Sequence, residues 1–510
     1  MFPRVCGLLL VSAAVCVSIA KDQPQWGEAW GRNMISRDTG LPTSFDLPSG
    51  RNVKWVAPLG TESHSTPVVA DGRVFIGTNN GEPRDPKHQG DRGVFMCFNE
   101  ADGELLWQLV VPKREEDPYH DWPKSGISSP GTVEGKRVYL VSNRHEVMCL
   151  DVEGLANGND GSFTNEAAHM TRWTNTTPVK PLELGRLDAD IIWTHDMMAD
   201  SGIWPHDGSH SSILIHGDYL YVNTSTGVDN THKKIRTPEA PSILVFNKHT
   251  GKVVARDRLG IAPNIFHATW SAPSLGSIDG KPVIFLAAGN GILYGFAPYQ
   301  PTDQAGVATL QKVYEYDFDP KAPKQEVHRF NGNRGEGPSN FYGMPVFQDG
   351  IIYLAGGGDV FWGKNEAWLK AVRADNTGTF AKDAEVWAYA LEKHVLSSPA
   401  IHDGMVFIAD TSRNIHCVDQ KTGKTNWVHG ANGDFWSSPL VADGKVYIGS
   451  RRGDFWVLKA SKQLEVLFRH DFREPISATT TAANGVVYIG TMSKLYAIQE
   501  GARPKAVGKL

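Results

Sequence analysis

The stretch from Ser437 to Ser450, SSPLVADGKVYIGS, carries two short β-prone runs on either side of an Asp-Gly pair. Asp-Gly between such runs is a strong hairpin signal, because both turn residues must take positive φ and these two do so at least cost. The pattern returns as STPVVADGRVFIGT from Ser65, SSPAIHDGMVFIAD from Ser397 and SATTTAANGVVYIGT from Ser477. Weaker copies fill the rest of the chain, and the turn glycines are Gly72, Gly135, Gly217, Gly280, Gly350, Gly404, Gly444 and Gly485. The last three stand about 40 residues apart, the length of one four-stranded propeller blade. Eight copies predict an all-β, eight-bladed β-propeller of four-stranded antiparallel blades, with insertions in the earlier blades.

Blade seven reads without insertions as strands Ser437–Ala442, Lys445–Ser450, Asp454–Ala460 and Glu465–His470. An indole recurs in the outermost strand at Trp107, Trp193, Trp387 and Trp427, where a large flat side chain fills the gap between neighbouring sheets. No fourth strand is legible after Gly485, whereas NVKWVAPL, Asn52 to Leu59, stands alone ahead of blade one. It is expected to complete blade eight and close the ring, which removes two exposed sheet edges. The propeller then spans 52–498, preceded by a signal peptide at 1–20 and an extended segment at 21–51, and followed by a tail at 499–510.

Among 510 residues, 41% are hydrophobic and 15 are Trp, enough for a large core and too many for wholesale disorder. A net charge of -5 gives no footprint for nucleic acid. Arg4, the apolar run Val5 to Val17 and the small residues around Ala20 read as an export signal, so the chain is expected to be periplasmic or extracellular. No later apolar run reaches the roughly 18 residues of a membrane span. Cys97, Cys149 and Cys417 share one register of the repeated strand and read as core residues rather than a disulfide framework.

Because strand direction alternates within a blade, the loops after the second and fourth strands share one face. Those loops are long, at 78–93, 112–127, 197–209, 226–241, 320–342 and 358–367, and the face as a whole, with the strand ends beside it, takes 13 of the 18 His. The opposite face has one comparable insertion, Val152 to Asp190. Loops on a rigid scaffold carry function, so the first face is expected to be the working face, a funnel for a small polar, partly planar ligand. The residues expected to ring its mouth and bind that ligand or cofactor are His64, Lys124, His210, His267, Trp270, Tyr342, His394, Trp436 and Arg473. The richest local cluster is WTHDMMADSGIWPHDGSH, which offers His195, Asp196 and His206 as metal ligands. Asp207 and Asp434 are the candidate catalytic bases. The GGGD at Gly356 to Asp359 follows a strand but opens no helix, so it reads as a turn and not a phosphate cradle.

The pairing of SSPLVADGKVYIGS with NIHCVDQKTGKTNW, Asn414 to Trp427, resembles the pyrroloquinoline quinone repeat. Across 52–498 the chain resembles the quinoprotein-like eight-bladed propeller family, and its opening RDTGLPTSFDLPSGRNVKW, from Arg37, is similar to exported bacterial members. One branch of that family implies a dehydrogenase of an alcohol or sugar, with pyrroloquinoline quinone and calcium clamped between a Trp and two adjacent Cys. This sequence has no adjacent Cys pair. The other branch implies a cofactor-free scaffold for envelope protein assembly. The expectation is an exported, monomeric propeller that binds a small polar ligand or an envelope protein through its funnel and is not a competent quinone dehydrogenase. The dehydrogenase and the assembly scaffold are the alternatives.

Overall fold

A computed structural model describes residues 22–114, 122–171, 180–208, 211–303, 305–375 and 383–504. Its strands form eight antiparallel sheets of four strands each, in chain order from the inner to the outer strand in the first seven. Blade one is Val68–Ala70, Arg73–Asn79, Arg92–Asn99 and Leu105–Pro112, and blade seven is Leu440–Ala442, Lys445–Gly449, Asp454–Lys459 and Val466–Asp471. Two sheets gain a short fifth strand: Ile35–Ser36 lies parallel to the inner strand of blade seven, and Ala308–Thr309 lies parallel to the outer strand of blade three.

The hairpins behave as their sequence requires, with one refinement. Six inner turns place an Asx-Gly pair at positive φ, as at Asp443 (φ 50°) and Gly444 (φ 68°), the geometry of a type I′ turn. In blades two and three the glycine comes first in its two-residue loop, because Glu134 pairs with Arg137 and His216 with Tyr219. There only Gly135 and Gly217 have positive φ, the II′ pattern, so those two copies are offset by one residue from the others.

The outer-strand indoles join adjacent blades. Nε1 of Trp107 donates to the Val152 carbonyl at 2.9 Å, Trp193 to Lys248 at 3.0 Å, Trp387 to Gln420 at 2.9 Å and Trp427 to Ser461 at 2.8 Å. Each acceptor sits in the third-to-fourth-strand turn of the following blade. Glycine in that turn lets the indole lie flat, since a Cβ on Gly423 would stand 2.7 Å from the Trp387 ring.

The ring closes as expected. Val53–Pro58 pairs antiparallel with Lys494–Gln499 as the fourth strand of blade eight, and Trp55 donates to the Glu100 carbonyl of blade one at 3.0 Å. The segment before it does more than lead in. From Gln23 to Asp38 it bonds to the inner strand, the residues just before it or the inner turn of every blade. Gln23 bridges Val69, and the Pro24, Trp30, Gly31 and Met34 carbonyls accept from Val133, Leu275, Phe347 and Val441. The Asn33 amide exchanges bonds with Ile401, and Asp38 accepts from Gly485. Arg32, fully buried, donates to the carbonyls of Trp26, Ser212, Ile213 and Pro273.

The insertion at Val152 to Asp190 does not stay on the opposite face. Its described residues, 152–171 and 180–190, form a strap against the outer strand of blade one. Gln108, in the outer strand of blade one, donates to Leu187 and accepts from Ala189, so the strap covers an edge that would otherwise be open. Met170, Ala189, Leu182 and Leu184 pack on the core around Trp107. The three cysteines are buried thiols, and burial pushes that of Cys97 well up. The expected signal at 1–20 and the last residues of the tail lie outside the described residues.

Candidate functional site

Three loops of the expected working face meet beside blades three and four. Residues 204–206, before the inner strand of blade three, and residues 267–269, before that of blade four, flank the backbone at 225–228. Pro205 bridges Thr226, Gly227 bridges Ala268, His206 N donates to the Ser225 carbonyl and Val228 N to that of His267. This small irregular sheet sets His206 and His267 side by side. Gly227 makes the approach possible, because a Cβ there would stand 2.5 Å from the His267 carbonyl and 2.8 Å from the His206 Cβ. The loop carrying Gly227 then turns back and delivers His232, whose carbonyl accepts from the Asn331 amide at 2.8 Å.

The donor atoms of His206, His232 and His267 all lie within 4.8 Å of one another. Nε2 of His206 is 3.2 Å from Nε2 of His232 and 3.4 Å from Oδ2 of Asp207. The same Asp207 oxygen is 3.8 Å from Nε2 of His267. Ligands held about 2.0–2.2 Å from a tetrahedral ion stand about 3.3–3.6 Å apart, so the three imidazoles come near the spacing of a single site, with the Asp207 carboxylate beside two of them.

The far sides of the rings are fixed as well. Nδ1 of His206 donates to the Val228 carbonyl at 2.8 Å, which turns the Nε2 lone pair toward the centre. Nδ1 of His267 donates to Asp359 at 2.9 Å, and its Nε2, buried, makes no hydrogen bond. Asp359 also accepts from the Tyr342 hydroxyl and from the backbone N–H of Phe361 and Trp362. A carboxylate behind a ligating imidazole is the usual support of a metal-bound histidine. Burial, and after it the neighbouring His267 and His232, push the His206 pKa far down, so His206 stays a neutral donor. Burial raises Asp207 to about 6. For His267 burial acts in the opposite sense to the Asp359 charge, and the charge prevails, leaving its pKa raised. Phe361 and Trp362, 43% and 39% exposed, lie beside His267 and His232 with ring centroids 5.7 Å and 5.0 Å away and give the mouth an apolar lip.

The predicted residues divide accordingly. His206, Asp207, His267, Trp270 and Tyr342 come together here. His394 braces the neighbouring loop by its ring contact to the Lys364 carbonyl at 2.9 Å. His195 and Asp196 do not join: His195 bonds Ser201, and Asp196 caps the short helix Met197–Ser201 and pairs with Arg114. His64, Trp436 and Asp434 form a separate group, with His64 on Glu62 at 2.8 Å, Trp436 on Asp434 at 3.1 Å and Arg451 over the Trp436 ring at 4.3 Å. Lys124 is held near by its backbone, and Arg473 is exposed. His210 lies outside the described residues. Sequence reasoning passed over His232, one of many histidines on the face, and Asp359, which ends the GGGD turn.

These residues do not fit pyrroloquinoline quinone with calcium. Calcium takes six to eight oxygen ligands, whereas this cluster is chiefly imidazole. Trp270 is buried, stacked on Tyr342 at 5.1 Å and edge-on to His267, and Trp436 lies between Arg451 and His64. Trp270, at 7% exposure, has no open face for a planar ring. Imidazole with one carboxylate suits zinc and the neighbouring first-row ions.

A family model described as outer membrane protein assembly factor BamB matches residues 43–291 and 365–503. His206, His232 and His267 fall inside the first matched segment, while Tyr342, Asp359, Phe361 and Trp362 fall in the stretch between the two. No curated protein matches the chain. Among solved structures, BamB from Moraxella catarrhalis is similar at 12% identity with a TM-score of 0.50, covering 88% of this chain and 97% of that one. The computationally designed protein Ika8 is similar at 10% identity and a TM-score of 0.50, covering 88% and 99%. At such identities the likeness is one of fold.

Proposed function

Because the chain belongs to the family described as outer membrane protein assembly factor BamB, we propose that it is an exported binding propeller of the cell envelope, and that its funnel face works through a bound transition-metal ion. The grouping of His206, His232 and His267, with the Asp207 carboxylate beside His206 and His267, carries this reading. Three neutral imidazoles hold the ion, and Asp207 takes the fourth position when no ligand is present. Asp207 is one-quarter exposed, and burial already favours its protonated form more than in water, so it is the donor most readily exchanged for an oxygen atom of a small polar ligand. Phe361 and Trp362 cover the apolar side of that ligand. Quinone-linked oxidation is not part of this function.

Titration of metal-free mature protein with zinc against a chromophoric chelator tests the reading. Zinc is expected to bind the funnel site, and both His206→Gln and His267→Gln to abolish that binding while the circular dichroism spectrum stays that of the parent. Zinc affinity unchanged in both variants would refute the site. Family membership supports a second reading, an envelope protein as the ligand of the same face. Cross-linking in envelope extracts, with and without chelator, is expected to show a partner whose capture depends on Trp362.

A further inference from the structure

The strap and the second-to-third-strand loop of blade one meet at a buried group that the funnel site does not use. We propose that Asp85, His88 and Asp188 form a second divalent-metal site, which fastens the strap to the ring. Their donor atoms lie within 4.8 Å of one another. His88 is fully buried, and neither of its ring nitrogens makes a hydrogen bond. A buried imidazole in that state is costly unless something else meets it. Its Nε2 faces Oδ1 of Asp188 at 3.7 Å, too long for a hydrogen bond and close to the spacing of two ligands on one ion. That Asp188 oxygen is also buried and without a hydrogen bond.

The other Asp188 oxygen is occupied. It accepts from Gly185 N and from Lys87 Nζ, both at 2.7 Å, and the same ammonium is 3.3 Å from Asp85. Lys87 therefore neutralises part of the carboxylate charge, and an ion entering between His88 and Asp188 does so against its repulsion. This site is accordingly weaker than the funnel site, and Lys87 sets how much weaker. Asp188 adjoins the strap residues that cover Gln108, and His88 belongs to a funnel-face loop, so the ion ties the strap to that loop.

The test uses the full mature chain with zinc as the only added ligand. The parent is expected to bind two equivalents and His267→Gln one. Lys87→Met, which removes the competing ammonium, is expected to tighten the remaining equivalent by about tenfold or more. His88→Gln is expected to remove that equivalent and leave the funnel equivalent in place. Should His88→Gln fail to fold, Asp85→Asn, at a partly exposed position, is expected to weaken the site by about tenfold. Zinc is expected to slow tryptic cleavage after the exposed Arg186 in the parent and not in the His88 variant. One equivalent in the parent and none in His267→Gln would overturn the proposal while leaving the funnel site standing. Unchanged affinity in Lys87→Met would overturn it as well.

Discussion

A single backbone hydrogen decides whether the funnel imidazoles meet. Replacing Gly227 with Ala places a methyl 2.8 Å from the His206 Cβ and 2.5 Å from the His267 carbonyl, so one of the flanking strands must move. Gly227→Ala is expected to lower zinc affinity by at least about 100-fold while shifting the melting temperature only a few degrees, since one loop contact and no core side chain is lost. Asp359 makes a different prediction. Zinc needs neutral imidazoles, so protons compete with it, and His267, whose pKa Asp359 raises, is the first ligand lost as pH falls. Below that pKa, affinity is expected to fall by about tenfold per pH unit. Asp359→Asn removes the charge and leaves burial to lower the His267 pKa. Affinity at pH 8 then drops by about 10- to 100-fold, yet the onset of acid loss moves to lower pH, a pair of changes that isothermal titration across pH reads directly. The sequence marked His206, Asp207 and His267 because they sit just before inner strands, where loop ends converge. It did not mark His232, which reaches the site only because its loop folds back, or Asp359, whose role depends on a partner 92 residues away.

At the scale of the repeat, glycine plays two parts that look alike in sequence. Gly404 closes an inner hairpin at φ +75° with nothing within 4 Å of the point a methyl would occupy, whereas Gly423, at φ +66°, lies under the Trp387 indole. Gly404→Ala therefore bears only the backbone cost, about 1 kcal/mol. Gly423→Ala adds a clash with a buried ring and is expected to cost about 2–4 kcal/mol, because the indole must leave both its packing and its hydrogen bond to Gln420. Urea unfolding of the two variants separates these costs, and equal midpoints would mean that the indole shifts freely. The hairpins, the blade count and the packing role of the tryptophans were all legible, because each rests on contacts between residues close in sequence or one repeat apart. The course of the strap was not. It lacks the alternating pattern, and its contact with the edge of blade one is made through backbone at Leu187 and Ala189, which any side chain permits.

The ring as a whole is held by two devices from one end of the chain, and only one has a sequence signature. The closing strand announces itself through Trp55, which occupies the same place as the outer-strand indoles of other blades. The segment from Gln23 to Asp38 has no period, because it passes the inner sides of all eight blades and meets them at unequal intervals. Its cost and gain are concentrated at Arg32, a buried cation with four carbonyl acceptors and, among the described residues, no carboxylate within ion-pair distance. Arg32→Met leaves those carbonyls without their donor, and at about 1–3 kcal/mol for each that stays dry the loss is expected to reach at least about 3 kcal/mol. Two deletions from mature protein distinguish the devices. Removing residues 21–41 leaves the closing strand paired, so the ring is expected to keep one cooperative melt at a lower temperature. Removing residues 21–60 also takes Val53–Pro58 from Lys494–Gln499 and leaves that edge of blade eight unpaired, and that chain is expected to lose its cooperative melt. A cooperative and unshifted melt of the longer deletion would mean that blade eight stands on three strands and that closure contributes little.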